Sequence, residues 1–253
     1  MQHEQSISKS FGPNAKMYLT SPVHSIGADL DWLSRAAAAL KRPTVLDIGC
    51  GAGHAGFAMA PFSQEVIAFD PTDSMLEVTA AAARERKLHN LSVKQGAAED
   101  LPFDEARFDF IVSRYSAHHW VEVPRALSEV RRVLKPTGKV CFIDLAGAPT
   151  PLFDTHLQAV ELVRDPSHVR SYTRREWLSL FQTAGFDGHI EQEWRLATDF
   201  SSWTSRIGSS SERVAAIKTI WSGAPTEVRE YFNLTEDCSF DAEALMVVAK
   251  IAP

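Results

Sequence analysis

Cysteine is scarce in this chain, with three in 253 residues, Cys50, Cys141 and Cys238. An odd number with no C-x-x-C spacing excludes a disulfide framework and offers no zinc ligand set, so no metal site is expected. No run approaches the roughly 18 to 20 apolar residues of a membrane span. The opening MQHEQSISKSFG has no apolar secretory core, and a cytoplasmic protein is expected. Positive charge is in deficit as well, 26 Lys and Arg against 32 Asp and Glu for a formal net charge of -6. Nucleic-acid affinity rests on clustered cations, so a polyanion partner is disfavoured. The basic spots Arg131-Arg132 with Lys135, and Arg174-Arg175, read as solvated helix faces. No internal repeat is visible, and no G-K-[ST] follows the glycine-rich stretch, which excludes a phosphate loop.

What is present is an ordinary core-forming composition, 45% apolar and 23% charged. At this length one large domain with insertions is expected over residues 1–253, rather than two equal domains. From Val45 to about Leu145 apolar runs alternate with helical patterns, which predicts strands near 44–48, 65–70, 91–95, 108–113 and 139–145 crossing over through helices. In VPRALSEVRRVLKPTG, Val123, Leu127, Val130 and Leu134 form a stripe able to pack on a sheet, and Pro136 and Gly138 are expected to stop that helix. DSMLEVTAAAARERKLHN predicts a helix capped by Thr72 or Asp73, and Thr173 with Glu176 forms a capping box for another. Residues 1–43 read as an irregular arm followed by a helix, and 44–146 as a cofactor-binding core. Two further strands are expected around 190–196 and 244–251. Residues 147–172 and 199–241 fall outside the alternation and are expected to form a lid or substrate pocket, or to pad a sheet edge.

The stretch VLDIGCGAGHAG, Val45 to Gly56, carries the most chemistry. Glycines after a first strand let backbone approach a ligand closely. Gly51, Gly53 and Gly56 satisfy a dinucleotide fingerprint formally, so glycine spacing alone leaves a nicotinamide cofactor open. Asp47 discriminates, because a carboxylate at the loop opposes a pyrophosphate and suits a cation. S-adenosylmethionine carries a sulfonium and an ammonium and no phosphate. Asp70, closing EVIAFD, is the candidate acceptor for its ribose hydroxyls.

VLDIGCGAG, FDPTDSML, GAAEDLPF, FDFIVSRYSAHHW and EVRRVLKPTGKV, in that order, resemble the successive motifs of class I S-adenosylmethionine-dependent methyltransferases. The resemblance is to the methyltransferase type 11 branch, which includes the ubiquinone and menaquinone C-methyltransferases, and it covers about Val45 to Leu145. FGPNAKMYLTSPVHSIGADL and DPSHVRSY further resemble a small bacterial subgroup. The resemblance implies a Rossmann-like α/β fold, doubly wound on a seven-stranded, mostly parallel sheet whose last strand, 244–251, runs antiparallel. It implies that Asp47, Gly49, Gly51 and Gly53 shape the methionine side of the pocket and Asp70 takes the ribose. Met75, Ala98 and Glu99 would meet the adenine, and Arg114 and Tyr115 would lie beside the methionine moiety or the acceptor. Two positions depart from the branch: Ala97 stands where many relatives carry Asp, and Thr137 where the first glycine of L-K-P-G-G is usual.

Methyl transfer from a sulfonium is an in-line displacement, which positioning in a dry site accelerates. A base is needed where the acceptor must lose a proton. His118 and His119, directly after the fourth strand, are the candidates, the alternative being a helix cap or a ring under Trp120. His168, Arg170 and Tyr172 could bind an acidic or phenolic substrate, or form a structural salt-bridge cluster. Tyr18 and Lys16 could close over the cofactor, and Trp203 and Arg206 could shape the substrate pocket. Cys50 lacks an adjacent base and is not expected to be a nucleophile, and Asp144 is read as finishing the fifth strand. The expected function is methylation of a small-molecule acceptor. A binding protein without transferase activity and a nucleotide-dependent oxidoreductase are the rivals, and the sequence leaves acceptor, methylated atom and oligomeric state open.

Overall fold

A computed structural model describes residues 3–253, apart from the side chains of Pro22 and Val23. Its strands are β1 Thr44–Ile48, β2 Glu65–Asp70, β3 Leu91–Gln95, β4 Phe108–Arg114, β5 Leu134–Leu145, β6 Phe186–Thr198 and β7 Phe240–Ile251. They form one seven-stranded sheet in the order β3-β2-β1-β4-β5-β7-β6. The first five are parallel to one another, and β7 runs antiparallel between β5 and β6. This is the α/β class expected from the alternation, with the antiparallel last strand that the resemblance implied.

Ahead of the sheet lie α1 His3–Phe11, α2 Ala15–Thr20, α3 Pro22–Ser25 and α4 Ala28–Ala39. Then come α5 His54–Met59, α6 Asp73–Glu85, α7 Val123–Val133, α8 Pro151–Arg164 and α9 Arg174–Thr183. The helices α10 Phe200–Arg206, α11 Ser211–Ser222 and α12 Thr226–Tyr231 precede β7. Among the described residues no helix is long and apolar enough to cross a membrane.

Alternation along the central strands supplies both faces of the core, because successive side chains of a strand point to opposite sides. Leu46, Ile48, Val140 and Phe142 pack with Val123, Leu127 and Val130 of α7 and with Trp177 and Phe181 of α9. Val45, Phe110, Cys141 and Ile143 pack on the other face with Leu30, Leu33 and Ala37 of α4 and with Met59 of α5. Each such aliphatic or aromatic burial contributes roughly 1.5–3 kcal/mol, so the α7 stripe alone fixes that helix to the sheet.

Four local expectations change. The arm is helical rather than irregular: Gly12-Pro13 ends α1 at Phe11, and α2 is held beyond that break by burial of Ala15 and Tyr18 beside Ala52 and Met75. Strand β5 begins at Leu134, which pairs with Phe108 ahead of a register shift, so Pro136 and Gly138 lie inside the strand rather than between helix and strand. Strands β6 and β7 are longer than expected because they pair with each other from Phe186↔Ile251 to Thr198↔Phe240. Thr72 precedes α6 without a side-chain cap; its backbone N–H donates to Asp70 instead. The capping box of α9 forms as read, Thr173 and Glu176 each accepting from the other's backbone N–H.

The two segments outside the alternation meet. Leu157 and Val160 of α8, Trp203 of α10, Ile217 and Trp221 of α11 and Val228 of α12 share one apolar cluster with Phe240 and Ala242. The resulting helical layer adjoins the C-terminal ends of β5 and β6.

Candidate functional site

The turn after β1 needs glycine at three places. Gly49, Gly51 and Gly53 all have left-handed backbone, with φ of 64°, 50° and 85°, a region open to glycine at little cost. A Cβ on Gly49 would lie 1.8 Å from the Ser116 hydroxyl, and one on Gly53 2.6 Å from Thr79 and 2.8 Å from Phe57. A Cβ on Gly51 would meet open space. Gly49 therefore lets the β4 loop close in, Gly53 shapes the turn from within, and only Gly51 faces a gap.

Two carboxylates organise this turn. Asp70 accepts from the Gly51 N–H and the Thr72 N–H, both at 2.9 Å. Asp47 accepts from the Gly56 N–H at 2.8 Å through one oxygen, while its other oxygen is buried with no partner among the described residues. Burial pushes the Asp47 carboxyl up to about 7, the charge of Asp70 adding to the push while the Gly56 N–H and Arg114 oppose it. Burial also raises Asp70, against the two N–H groups it accepts from. An orphaned oxygen on a buried acid is an open demand for a donor.

Two cavities adjoin the loop and a third shares walls with them. The first, about 460 Å³, is bordered by Asp70, Met75, Ala98, Glu99 and Gly49. The second, about 80 Å³, is bordered by Asp47, Cys50, His24, Arg114 and Tyr18. The third, about 170 Å³, lies toward the helical layer and is bordered by His118, Tyr18, Glu161, Arg164, Trp203 and Arg206. Phe11 and Tyr115 border all three. Tyr115 holds φ of 52°, unusual for an aromatic residue, and its N–H is tied to Ile143 O at 2.7 Å. Strained backbone of this kind persists where its surroundings over-determine it.

The turn Ala117–His119 follows β4, and strand pairing brings it to the end of β5. There His118 donates its backbone N–H to Asp144 Oδ2 at 3.0 Å, and its Nδ1 lies 2.5 Å from Asp144 Oδ1. Burial alone would lower the His118 pKa, but the charge and hydrogen bond of Asp144 outweigh it and hold the imidazole above its ordinary value. His119 behaves oppositely. Its Nδ1 lies 3.0 Å from Ser167 O, and burial together with the neighbouring His118 charge drives its pKa down to about 3, so it stays neutral.

The other expected residues separate into two groups. Tyr18 borders the second and third cavities, buried, its hydroxyl without a partner among the described residues. Arg114 borders the second cavity, but its guanidinium is held by Asp29 at 2.6 Å and by His24 O at 2.9 Å. Glu99 borders the first cavity while accepting from the N–H groups of Val121 and Glu122. His168, Arg170 and Tyr172 border none of the three. His168 Nε2 meets Gln158 Oε1 at 2.8 Å, and Arg170 pairs with Asp154 at 3.3 Å and Glu176 at 2.9 Å, which is the salt-bridge alternative. Asp144 finishes β5 as read and also partners His118. The available signal was that β1, β2 and β5 each carry an aspartate at or next to their C-terminal end.

A sheet of this order, with a glycine turn after β1 and aspartates at the ends of β1 and β2 beside a large cavity, defines a Rossmann-like methyltransferase fold. Residues 46–142 match the family described as methyltransferase domain, and the chain belongs to that methyltransferase family. The uncharacterized methyltransferase YcgJ of Bacillus subtilis is 36% identical over 242 residues, 94% of this chain and 96% of YcgJ. The crystal structure of YcgJ superposes with a TM-score of 0.85 at 34% identity, covering 89% of this chain and 99% of that one. Escherichia coli YafE is 42% identical over 203 residues, 79% of this chain and 97% of YafE. A demethylmenaquinone methyltransferase of Clavibacter sepedonicus is 30% identical over 196 residues, 72% of this chain and 77% of that protein.

Proposed function

We propose that the protein transfers the methyl group of S-adenosylmethionine to a small-molecule acceptor seated over the ends of β5 and β6. The observation that carries this reading is the meeting of three cavities at Phe11 and Tyr115. One is bounded by a carboxylate suited to a diol, one by a carboxylate suited to a cation, and one by His118, the partner of Asp144.

The residues present fit this cofactor. The uncommitted oxygen of buried Asp47 matches an ammonium, and Asp70, each oxygen accepting one backbone N–H, keeps lone pairs for ribose hydroxyls. Met75 and Ala98 supply an apolar wall for a flat ring. When bound, S-adenosylmethionine supplies a methyl group on a sulfonium leaving group. The chain's own contribution is to align the acceptor, to exclude water through the arm and helical layer, and to take a proton at His118 Nε2 while Asp144 holds Nδ1. His119, held neutral, packs edge-on against Phe11 with ring centroids 5.0 Å apart.

Calorimetric titration with S-adenosylmethionine and S-adenosylhomocysteine tests the reading. Binding of both is expected, lost in Asp47→Ala and Asp70→Ala. Absence of binding by both to the wild-type protein overturns it.

A further inference from the structure

The third cavity is lined by two arginines, one held by direct partners and one not. Arg164 is committed: it pairs with Glu161 at 3.6 Å, donates to Trp203 O at 2.9 Å and lies 4.9 Å over the Trp203 ring. Glu161, buried, pairs with that guanidinium, and its charge also acts on Arg206 from beyond ion-pair distance. Asp199, the remaining acid on the cavity wall, accepts from the N–H and hydroxyl of Ser202 as the cap of α10. Arg206, in the last turn of α10, has no hydrogen bond or ion pair among the described residues, although it is only partly exposed. Beside it the Tyr18 hydroxyl is buried without a hydrogen bond within 3.5 Å, under the charges of both Arg164 and Arg206. His24, on the same wall, is kept neutral by burial and by the charges of Arg206 and Arg114. A guanidinium without a direct partner, beside a buried hydroxyl and a neutral imidazole whose Nδ1 meets Ser21 Oγ at 2.9 Å, forms a receptor for an anionic oxygen group.

The volume narrows the class further. At about 170 Å³ the space compares with the apolar cavities of about 150 Å³ that hold one benzene ring. Trp203, Phe11 and Tyr115 give it aromatic walls.

We infer that the methyl acceptor is a small organic acid, of one ring or a short chain, whose carboxylate seats on Arg206 while a proton-bearing nucleophilic atom faces His118. This rests on the methyltransferase reading of the same site. In the step, the acceptor atom bonds to the methyl carbon and the S–CH3 electron pair stays on sulfur, giving S-adenosylhomocysteine. The acceptor's proton passes to His118 Nε2. Arg206 acts as a specificity residue for the carboxylate, the role the sequence pattern had offered to Arg170.

The test is titration of the protein, with and without S-adenosylhomocysteine, with benzoate, 4-hydroxybenzoate and 2-oxopentanoate. Their neutral counterparts are benzyl alcohol, 4-hydroxybenzyl alcohol and 2-pentanone. At least one acid is expected to bind ten-fold or more tightly than its counterpart. Arg206→Gln and Arg206→Met are expected to erase that preference while keeping the wild-type melting temperature and S-adenosylhomocysteine affinity, and Arg206→Lys to keep part of it. The inference is overturned by no acid binding, by equal binding of acids and counterparts, or by a preference that survives in both Arg206→Gln and Arg206→Met. Failure of S-adenosylhomocysteine to bind the wild-type protein would strike the cofactor reading alone, since acid binding is read independently in its absence.

Discussion

His118 Nδ1 and Asp144 Oδ1 lie 2.5 Å apart although the residues are 26 positions apart in the chain. Their contact is a product of β4–β5 pairing, in which Arg114 sits opposite Ile143. It joins two strand ends at the wall of the third cavity, which His118 borders.

The first prediction concerns that pair. Because Asp144 holds the His118 pKa above its ordinary value, the neutral base form grows in only at higher pH. Turnover is therefore expected to rise with pH through an inflection above about 6.5, the usual histidine value. In Asp144→Asn the carboxylate is gone and burial dominates, so the inflection should move to lower pH while kcat falls by about 10²-fold or more, as loss of a positioned base does. A pH–rate profile of both proteins decides it, and an unmoved inflection would assign the ionisation elsewhere.

Cofactor affinity should itself depend on pH. Asp47 titrates near 7 in the ligand-free protein, and an ammonium beside it favours the carboxylate. Below that pH, binding must expel a proton, so S-adenosylhomocysteine affinity is expected to fall as pH drops, approaching tenfold per unit. Asp47→Asn should bind weakly at every pH with a flat profile. Calorimetry across about pH 5.5 to 8, in buffers of different ionisation enthalpy, would expose a wild-type profile without proton release, which contradicts the assignment.

The loop glycines should separate into two phenotypes. Gly53→Ala combines left-handed backbone with a Cβ 2.6 Å from Thr79, and should lose about 2–4 kcal/mol of stability. Gly51→Ala, whose Cβ meets open space, should cost about 1 kcal/mol yet lose cofactor affinity. Thermal melts beside S-adenosylhomocysteine titrations distinguish them, and equal melting temperatures for the two variants would contradict the packing argument.

Arg114 is expected to report on stability first. Its pair with Asp29 is buried, with side-chain exposures of 6% and 7%. Asp29→Ala strands a buried guanidinium and should cost about 3–5 kcal/mol. The double variant Asp29→Leu, Arg114→Met should recover much of that loss in a denaturant titration, because neither charge is then left unpaired.

Short-range features were the legible ones. Asp47 and Asp70 follow from local spacing, since each sits at a strand end whose period and composition were visible. The sheet class followed from alternation, because strands covered on both faces read as continuous apolar runs. Asp144 as the partner of His118 was not legible, because only the strand order brings the two ends together. Arg206, read as able to shape the pocket, borders the third cavity, whereas Arg170, read as able to bind substrate, does not; both are arginines in segments outside the alternation, and which one borders the cavity depends on how α10 packs with α8. The arm was misread for a related reason, its helices being stabilised by burial of Ala15 and Tyr18 against the core rather than by intrinsic propensity.

Strand β7 is the seventh in sequence but the sixth in space, wedged between β5 and β6. Until it pairs, β5 presents an open edge and β6 is a strand with no neighbour. Docking of β6 onto the sheet therefore waits on β7, its sole strand neighbour among the described residues. During that interval the unpaired β5 edge is the surface most exposed to wrong partners. One strand thus governs both when the Ala242 wall of the third cavity forms and how long that sheet edge stays open.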